Sequence, residues 1–439
     1  MTKVCIIGLG YVGLPLACLC ARKGYEVYGY DVDSNKVDLI NKKVSPIKDE
    51  ELESGLKLVD VKATTDSSVI GFSDVVFVCV PTPIKENHMP DLRFVESAIE
   101  IICQNLNKSC NGQLVVIEST IHPGTCEEVI MPIFDKFGFK HGEDFFLAHC
   151  PERIDPGNKK WNVENIPRVV GGLSDVAVNK AVELYKSILD LGVDVMSLSS
   201  IKAAEAVKIT ENTFRDVNIA FVNELAMSFD KLGIDVTEVI KGASTKPFAF
   251  MPHWPSCGVG GHCIPVDPYY LIEQAKSKGF DHSFLSLARS INKKMPEYSV
   301  ARLEEALKEI GKSVDNGVDK DIGREIKGTK IGVLGLAYKG NVDDTRESPA
   351  FEIIELLQAK GAEVFVFDPY LMEKSHVSGV DEMLSKVEVL FLVTEHNEFK
   401  NFDFSNLSGS KVKIIIDGKN CLDKQAVESQ GIIYKGIGR

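Results

Sequence analysis

Along the first two hundred residues, short apolar runs alternate with amphipathic stretches. "KVCIIGLG", "EVYGYDVD", "VVFVCVPTP", "QLVVIEST" and "FFLAHCPE" are almost continuous in Val, Ile, Leu, Phe and Cys. Such runs suit strands covered on both faces, and most end in Gly, Asp, Pro or Thr, as the ligand-side ends of a parallel sheet do. The pattern predicts a doubly wound α/β unit reaching to about Ser199. From Ser200 to Lys231 the period changes. Ala203, Ala206, Val207, Thr210, Phe214, Val217, Phe221, Leu225 and Phe229 recur at threes and fours with no Gly or Pro between them. One long helix is predicted there, able to join two domains and to pair its apolar stripe with a second copy. More helix is expected from Asp267 to Ile310.

The polar segment "GKSVDNGVDKDIGREIKG" then reads as a linker, and a second strand–helix alternation follows in "TKIGVLGLAYKG", "AEVFVFDPY", "VEVLFLVTE" and "VKIIIDGK". This is an internal repeat. Aligning "IIGLGYVG" with "VLGLAYKG" pairs Gly8 with Gly335, Tyr11 with Tyr338 and Gly13 with Gly340. The expected architecture is two Rossmann-like domains, 1–199 and 311–439, flanking a helical central domain, 200–310. At 439 residues the chain is long enough for several cores.

Composition narrows the function classes. A formal net charge of −13 argues against a general nucleic-acid surface. No apolar run has the length of a membrane span. The apolar stretch Val4–Leu19 carries a nucleotide loop rather than a signal-peptide cleavage pattern. Eleven cysteines, scattered without framework spacing, point to a reducing cytoplasm.

Gly8, Gly10 and Gly13 form G-x-G-x-x-G between a strand and a helix, with Tyr11 and Val12 inside the loop. The first glycine permits the turn, the second lets a pyrophosphate approach backbone N–H groups, and the third lets the helix pack on the strand. Asp31 ends the next strand, where a carboxylate accepts from ribose hydroxyls and repels a 2′-phosphate. NAD is therefore expected, with Lys36 leaving room for NADP. In the repeat, Ala337 replaces the middle glycine, so a nucleotide would bind there by another route, with Lys339 and Arg346 taking phosphate charge. A domain retained only for its structure is the alternative.

Lys208 and Asn212 lie four apart on the long helix and share a face. Together they suit the polarisation of a hydroxyl oxygen, although a solvated helix face shows the same spacing. In "CGVGGHCIPVDPYY", His253, Cys257, His262 and Cys263 lack the paired spacing of a zinc site, so no metal is expected. Gly258, Gly260 and Gly261 clear the approach to Cys263, and Asp267 follows where a helix begins. Local composition leaves Cys263 open between a buried inert thiol and an activated nucleophile.

Taken in order, "VPTP", "STIHPGT", "CPER", "AEAVKITENTF", "GVGGHCIPVDP" and "LAYKGNVDDTRESP" resemble the nucleotide-sugar 6-dehydrogenases, the UDP-glucose/GDP-mannose dehydrogenase family, over nearly the whole chain. The resemblance implies a cytoplasmic enzyme, homodimeric or higher through the central helix, that oxidises a sugar C6 alcohol twice with NAD. Cys263 would be the nucleophile, and Lys208 and Asn212 would polarise the C6 oxygen. Asp267 would activate the hydrolytic water, helped by Glu152 or Thr120. Thr82 and Thr120 would line the cofactor; Glu152, Arg153, Gly260, Gly261, Lys339 and Arg346 would contact the UDP-sugar.

Within the family, Pro156 stands where the UDP-glucose branch has a second glutamate, and Val266 where it has a lysine. That branch's arginine ahead of the cysteine loop is not evident in "STKPFAFMPHWP", where Lys246 is a candidate for its role. These departures are similar to the branch acting on UDP-N-acetylhexosamines, so UDP-GlcNAc, UDP-ManNAc or UDP-GalNAc is the expected substrate class, with UDP-glucose as the alternative. "PSCG" also replaces that branch's usual P-G-P-G. A one-step hydroxy-acid dehydrogenase would lack the second repeat, and a non-catalytic nucleotide-sugar sensor would have no use for Cys263.

Overall fold

The computed structural model describes residues 1–47, 49–85, 89–107, 112–154, 158, 160–314, 325–404, 407 and 409–439. Pro156 and most of the predicted linker lie outside them. The chain divides into two compact units, Met1–Glu211 with Val266–Asp281, and Asn212–Pro265 with His282–Arg439.

The first unit is built on β1 (Lys3–Ile7), β2 (Glu26–Tyr30), β3 (Val61–Thr64), β4 (Val75–Val78), β5 (Gln113–Ile117), β6 (Phe145–His149), β7 (Arg168–Gly172) and β8 (Val195–Ser197). They lie in the order β3-β2-β1-β4-β5-β6-β7-β8. Every pairing is parallel except β6 with β7, where Ala148 faces Gly172 and His149 faces Gly171. The five predicted strands are all present. The three additional ones, β3, β7 and β8, are short or interrupted by glycine and exposed positions, and so lack the continuous apolar run that marks the others.

Alternation inside the strands explains why both faces are covered. Val4 and Ile6 of β1 join one apolar cluster and Cys5 and Ile7 the other; Val75 and Phe77 of β4 oppose Val76 and Val78 in the same way. Each such side chain removed from water contributes about 1.5–3 kcal/mol before entropy is set against it. The second unit repeats the design with β9 (Lys330–Leu334), β10 (Glu363–Phe367), β11 (Val389–Leu392), β12 (Ile414–Asp417) and β13 (Ile433–Gly436), all parallel in the order β10-β9-β11-β12-β13.

The long helix spans Ile201–Leu232, but its buried face differs from the predicted stripe. Ile201, Ala204, Glu205, Lys208, Ile209, Thr213, Asp216, Ala220 and Asn223 are buried, whereas Thr210, Phe214 and Phe221 are exposed. The inward face carries polar residues whose partners lie far away in sequence, and part of the apolar stripe is left exposed. Beyond it, the expected helical stretch is three helices, Asp267–Ser277, Ser283–Lys293 and Met295–Val314. Gly279, at φ 89°, ends the first, and Pro296 sits in the first turn of the third.

His149, at the end of β6, is fully buried, and burial pushes its imidazole down to about 3. Between that value and the unfolded histidine range the unfolded chain binds the extra proton, so stability is lost as pH falls through this window. His149→Leu is expected to flatten the acid side of the pH–stability curve measured by urea melts. An unchanged slope would contradict the assignment.

Candidate active site

In the first glycine loop, Gly8 adopts φ 92°, and a Cβ on Gly13 would overlap the Gly8 carbonyl oxygen. A Cβ on Gly10 would meet nothing, so this position is open to an incoming group. Tyr11 is exposed and Val12 half-buried. The Asp31 carboxylate accepts from Leu9 N at 2.8 Å, Asp33 N at 3.0 Å and Lys36 Nζ at 2.8 Å. Burial alone would raise this carboxyl, but the Lys36 ammonium and the two N–H groups outweigh it and hold it below its ordinary value. The open Gly10 face and an ionised carboxylate at the neighbouring strand end fit a dinucleotide.

Three other segments of the first unit are tied together by polar contacts. Glu205 accepts from Gly124 N at 2.5 Å and Cys126 N at 2.8 Å, which fixes the turn after Thr120 to the long helix one turn before Lys208. Lys208 is buried at 8 % exposure. Arg153 reaches Glu211 on the same helix through Nε at 3.2 Å and Nη2 at 2.6 Å. Glu152 is also buried and accepts from Ile154 N at 2.7 Å, from Arg153 N and from Arg168 Nη1 at 2.9 Å. Asp267, 2 % exposed, opens its helix. Tyr270 on that helix donates to the Thr82 carbonyl oxygen at 2.5 Å. Thr120 is half-buried at the end of β5.

The second unit holds Asn212, the cysteine loop and the second glycine loop. Its glycines pack rather than clear an approach. A Cβ on Gly260 would come within 2.7 Å of both Glu347 O and Tyr338 Cβ, and one on Gly261 within 2.8 Å of Tyr338 Cε2. Gly261 N donates to Arg346 O at 2.9 Å. The loop bearing Cys263 is therefore seated on the segment Tyr338–Pro349, and Cys263 itself is part-exposed.

Cys257, by contrast, is fully buried. Its N–H donates to Gly418 O at 2.9 Å, and burial pushes its thiol up to about 11. It is an inert packing thiol. Ser256 N donates to Asn223 Oδ1 at 3.0 Å, which anchors "PSCG" to the long helix. His262 is half-buried, and burial lowers its imidazole, with the Arg346 charge adding to this and Asp344 opposing it. Lys246 sits over the Phe248 ring at 4.8 Å.

In the repeat, Ala337 is buried and its N–H donates at 3.0 Å to Asp368 Oδ2, which also accepts from Leu336 N at 2.7 Å and His396 Nε2 at 3.1 Å. The loop amide aligned with Gly10 is thus already engaged. Arg346 grips Asp344 through Nε and Nη2 at 2.6–3.1 Å, and Lys339, earlier in the same segment, is half-buried.

Sequence reasoning had passed over Glu118, Arg168, Tyr185, Glu205 and Tyr270. Only burial and distant partners mark them, and neither shows in local spacing.

Three segments of the chain match the UDP-glucose/GDP-mannose dehydrogenase family: its NAD binding domain at residues 2–189, its central domain at 202–294 and its UDP binding domain at 332–424. The chain belongs to this family. It is a NAD-dependent oxidoreductase of nucleotide sugars. It is 38% identical to the UDP-N-acetyl-D-mannosamine dehydrogenase of Pyrococcus horikoshii, over 100% of this chain and 99% of that protein. It is 35% identical to a UDP-N-acetyl-D-glucosamine 6-dehydrogenase of Pseudomonas aeruginosa, over 96% of this chain and 97% of the other. The solved structure of a UDP-D-ManNAc dehydrogenase from Pyrococcus horikoshii superposes with a TM-score of 0.90 at 36% identity, covering 100% of this chain and 99% of that one. The two α/β domains expected from the repeat, and NAD as cofactor, stand on these findings. Among the described residues no helix is long and apolar enough to cross a membrane.

Asp31→Asn keeps the shape of the side chain and removes the charge that Lys36 neutralises. NAD affinity is expected to fall about 10- to 100-fold, the scale of a lost charged hydrogen bond, while NADP binds more tightly as Lys36 is released. Calorimetric titration with each cofactor checks this; an unchanged NAD-to-NADP ratio would remove Asp31 from cofactor selection.

Proposed function

We propose that the enzyme oxidises the C6 alcohol of a UDP-N-acetylhexosamine to the uronic acid in two NAD-dependent steps, with UDP-ManNAc the first substrate to test and UDP-GlcNAc and UDP-GalNAc next. The observation that carries the reading is the part-exposed Cys263 on a loop seated against the UDP-binding segment Tyr338–Pro349. The names of the relatives, and Pro156 and Val266 at the two branch-marking positions, support an acetamido sugar over glucose. The division of labour follows the expected domains: 1–199 for NAD, 200–310 for catalysis and association, 311–439 for UDP.

NAD, when bound, accepts hydride from the sugar C6. Gly8, Gly10, Tyr11, Val12 and Gly13 would receive its pyrophosphate and Asp31 its ribose, and Thr82 and Thr120 would line the cofactor. Lys208 and Asn212, four apart on one helix, steady the C6 oxygen as its proton leaves. The Cys263 sulfur then adds to the aldehyde carbon as the thiol proton passes to the aldehyde oxygen; this thiohemiacetal keeps the aldehyde bound, and loss of its hydride to a second NAD and of its hydroxyl proton leaves a thioester. Water attacks the resulting thioester; the C–O bond forms, the C–S bond breaks and Cys263 returns as a thiol. Asp267, with Glu152 or Thr120, takes the proton from that water. Arg153, Gly260, Gly261, Lys339 and Arg346 hold the UDP-sugar.

The exposed Phe214 and Phe221 of the long helix, with Phe284 and Leu287 also exposed in the same unit, support a homodimer through this helix. Phe221→Asp should then lower the mass seen by light scattering. No disulfide joins the described cysteines, which supports a cytoplasmic setting.

Counting NADH tests the reading. Two NADH per UDP-N-acetylhexosamine are expected, and Cys263→Ser should lose about 10³-fold or more of turnover. One NADH per sugar, or an unimpaired Ser variant, would contradict it.

A further inference from the structure

The inward face of the long helix carries a buried polar network that the steps above do not use. Asp216 and Asn223 lie two turns apart on one face of Ile201–Leu232, and Arg289 and Asn292 lie one turn apart on Ser283–Lys293. All four are at most 5 % exposed and belong to the unit that holds the cysteine loop. Arg289 Nη1 and Asn292 Nδ2 donate to Asp216 Oδ1, the second at 2.8 Å, and Asn292 Nδ2 also donates to the Asp216 carbonyl oxygen at 3.0 Å. Asn223 Nδ2 donates to Asn292 Oδ1 at 2.9 Å, and Asn223 Oδ1 accepts from Ser256 N at 3.0 Å.

A side-chain amide can be turned over, exchanging its oxygen and nitrogen, unless its neighbours decide. Here both ends of the chain decide. A backbone carbonyl only accepts, so the Asn292 NH₂ must face Asp216 and its oxygen must face Asn223. A backbone N–H only donates, so Asn223 must turn its oxygen to Ser256 and its NH₂ to Asn292. The two requirements agree, and the chain Asp216–Asn292–Asn223–Ser256 runs in one direction. Turning either amide over would set oxygen against oxygen and N–H against N–H, which burial makes costly.

Ser256 is where the backbone leaves for Cys263. Its Oγ donates to Gly258 O at 2.7 Å, the Cys257 N–H donates to Gly418 O, and Gly258, Gly260 and Gly261 then pack along Tyr338–Pro349. The amide chain fixes the origin of this loop on the helix that carries Asn212, three turns before Asn223.

We propose that Asn223 and Asn292 are positioning residues for the covalent step: through Ser256 they register the cysteine loop against the long helix, so that Cys263 meets the carbon whose oxygen Asn212 steadies. The role rests on the function proposed for Cys263.

Enzyme in excess over a UDP-N-acetylhexosamine, mixed with saturating NAD and followed by nicotinamide absorbance, separates the two hydride transfers. The first does not involve the Cys263 sulfur, and the second does. Wild-type enzyme should form two NADH per sugar. In Asn223→Ala the first NADH should form at close to the wild-type rate. The second should form about 10²-fold more slowly, the scale of misplacing a reacting group by about 1 Å. Asn292→Ala leaves the Ser256 contact untouched, yet it should also slow the second transfer selectively. The double variant should be no slower than the slower single one, because both substitutions break the same chain.

Equal loss of both transfers, including through failure to fold, would overturn this proposal, since the amides would then support the whole unit and not the loop. A second transfer at the wild-type rate in either single variant would overturn it as well. So would penalties that multiply in the double variant, which mark two separate packing roles. Wild-type enzyme that stops at one NADH per sugar would instead overturn the functional reading, and with it the role given to the two amides.

Discussion

The arrangement of the first unit depends on one constraint: a parallel sheet covered on both faces has no room for polar side chains except at the ends of its strands. Apolar alternation fills both sides of β1, β4 and β5, so Asp31, Glu118, Thr120 and Glu152 collect just beyond the carboxyl ends of their strands. Once there, each buried charge has to be met by a partner, because an unmatched one would cost several kcal/mol. Lys36 meets Asp31, Arg168 meets Glu152, and backbone amides meet Glu205. The same requirement that makes these groups tolerable also fixes where they point.

The second unit shows what happens when one position of this scheme changes. Asp368 is the counterpart of Asp31, but Ala337 in place of the middle glycine turns its amide inward to that carboxylate. His396 completes the set, with Nδ1 accepting from Asn341 N at 2.9 Å and its ring proton therefore on Nε2. A closed loop of this kind has no free amide cradle. The segment Tyr338–Pro349 of this unit seats the cysteine loop.

Much of this was legible in the sequence. Continuous apolar runs gave nine of the strands because burial on both faces leaves a strong signal, while β3, β7, β8 and β13 were too short or too mixed to stand out. The glycine loop with Asp31 was readable because its geometry is local. The glycines around Cys263 were also noticed, yet for a different physical reason: they accommodate Tyr338 and Glu347, some eighty residues away in the chain. The inward face of Ile201–Leu232 was not legible, because Glu205, Asp216 and Asn223 are buried by virtue of partners such as Gly124, Arg289 and Asn292. Spacing within a helix cannot reveal such partners. Glu118 and Arg168 were hidden for the same reason.

The central claim is that the sugar becomes covalently attached to Cys263. Asp267→Asn enzyme mixed with NAD and a UDP-N-acetylhexosamine, quenched in acid and digested, should yield the peptide containing Cys263 with the added mass of the oxidised nucleotide sugar. The adduct should disappear on treatment with hydroxylamine, as a thioester does. Continued NADH formation with an unmodified Cys263 peptide, or an adduct on any other cysteine, would contradict the account.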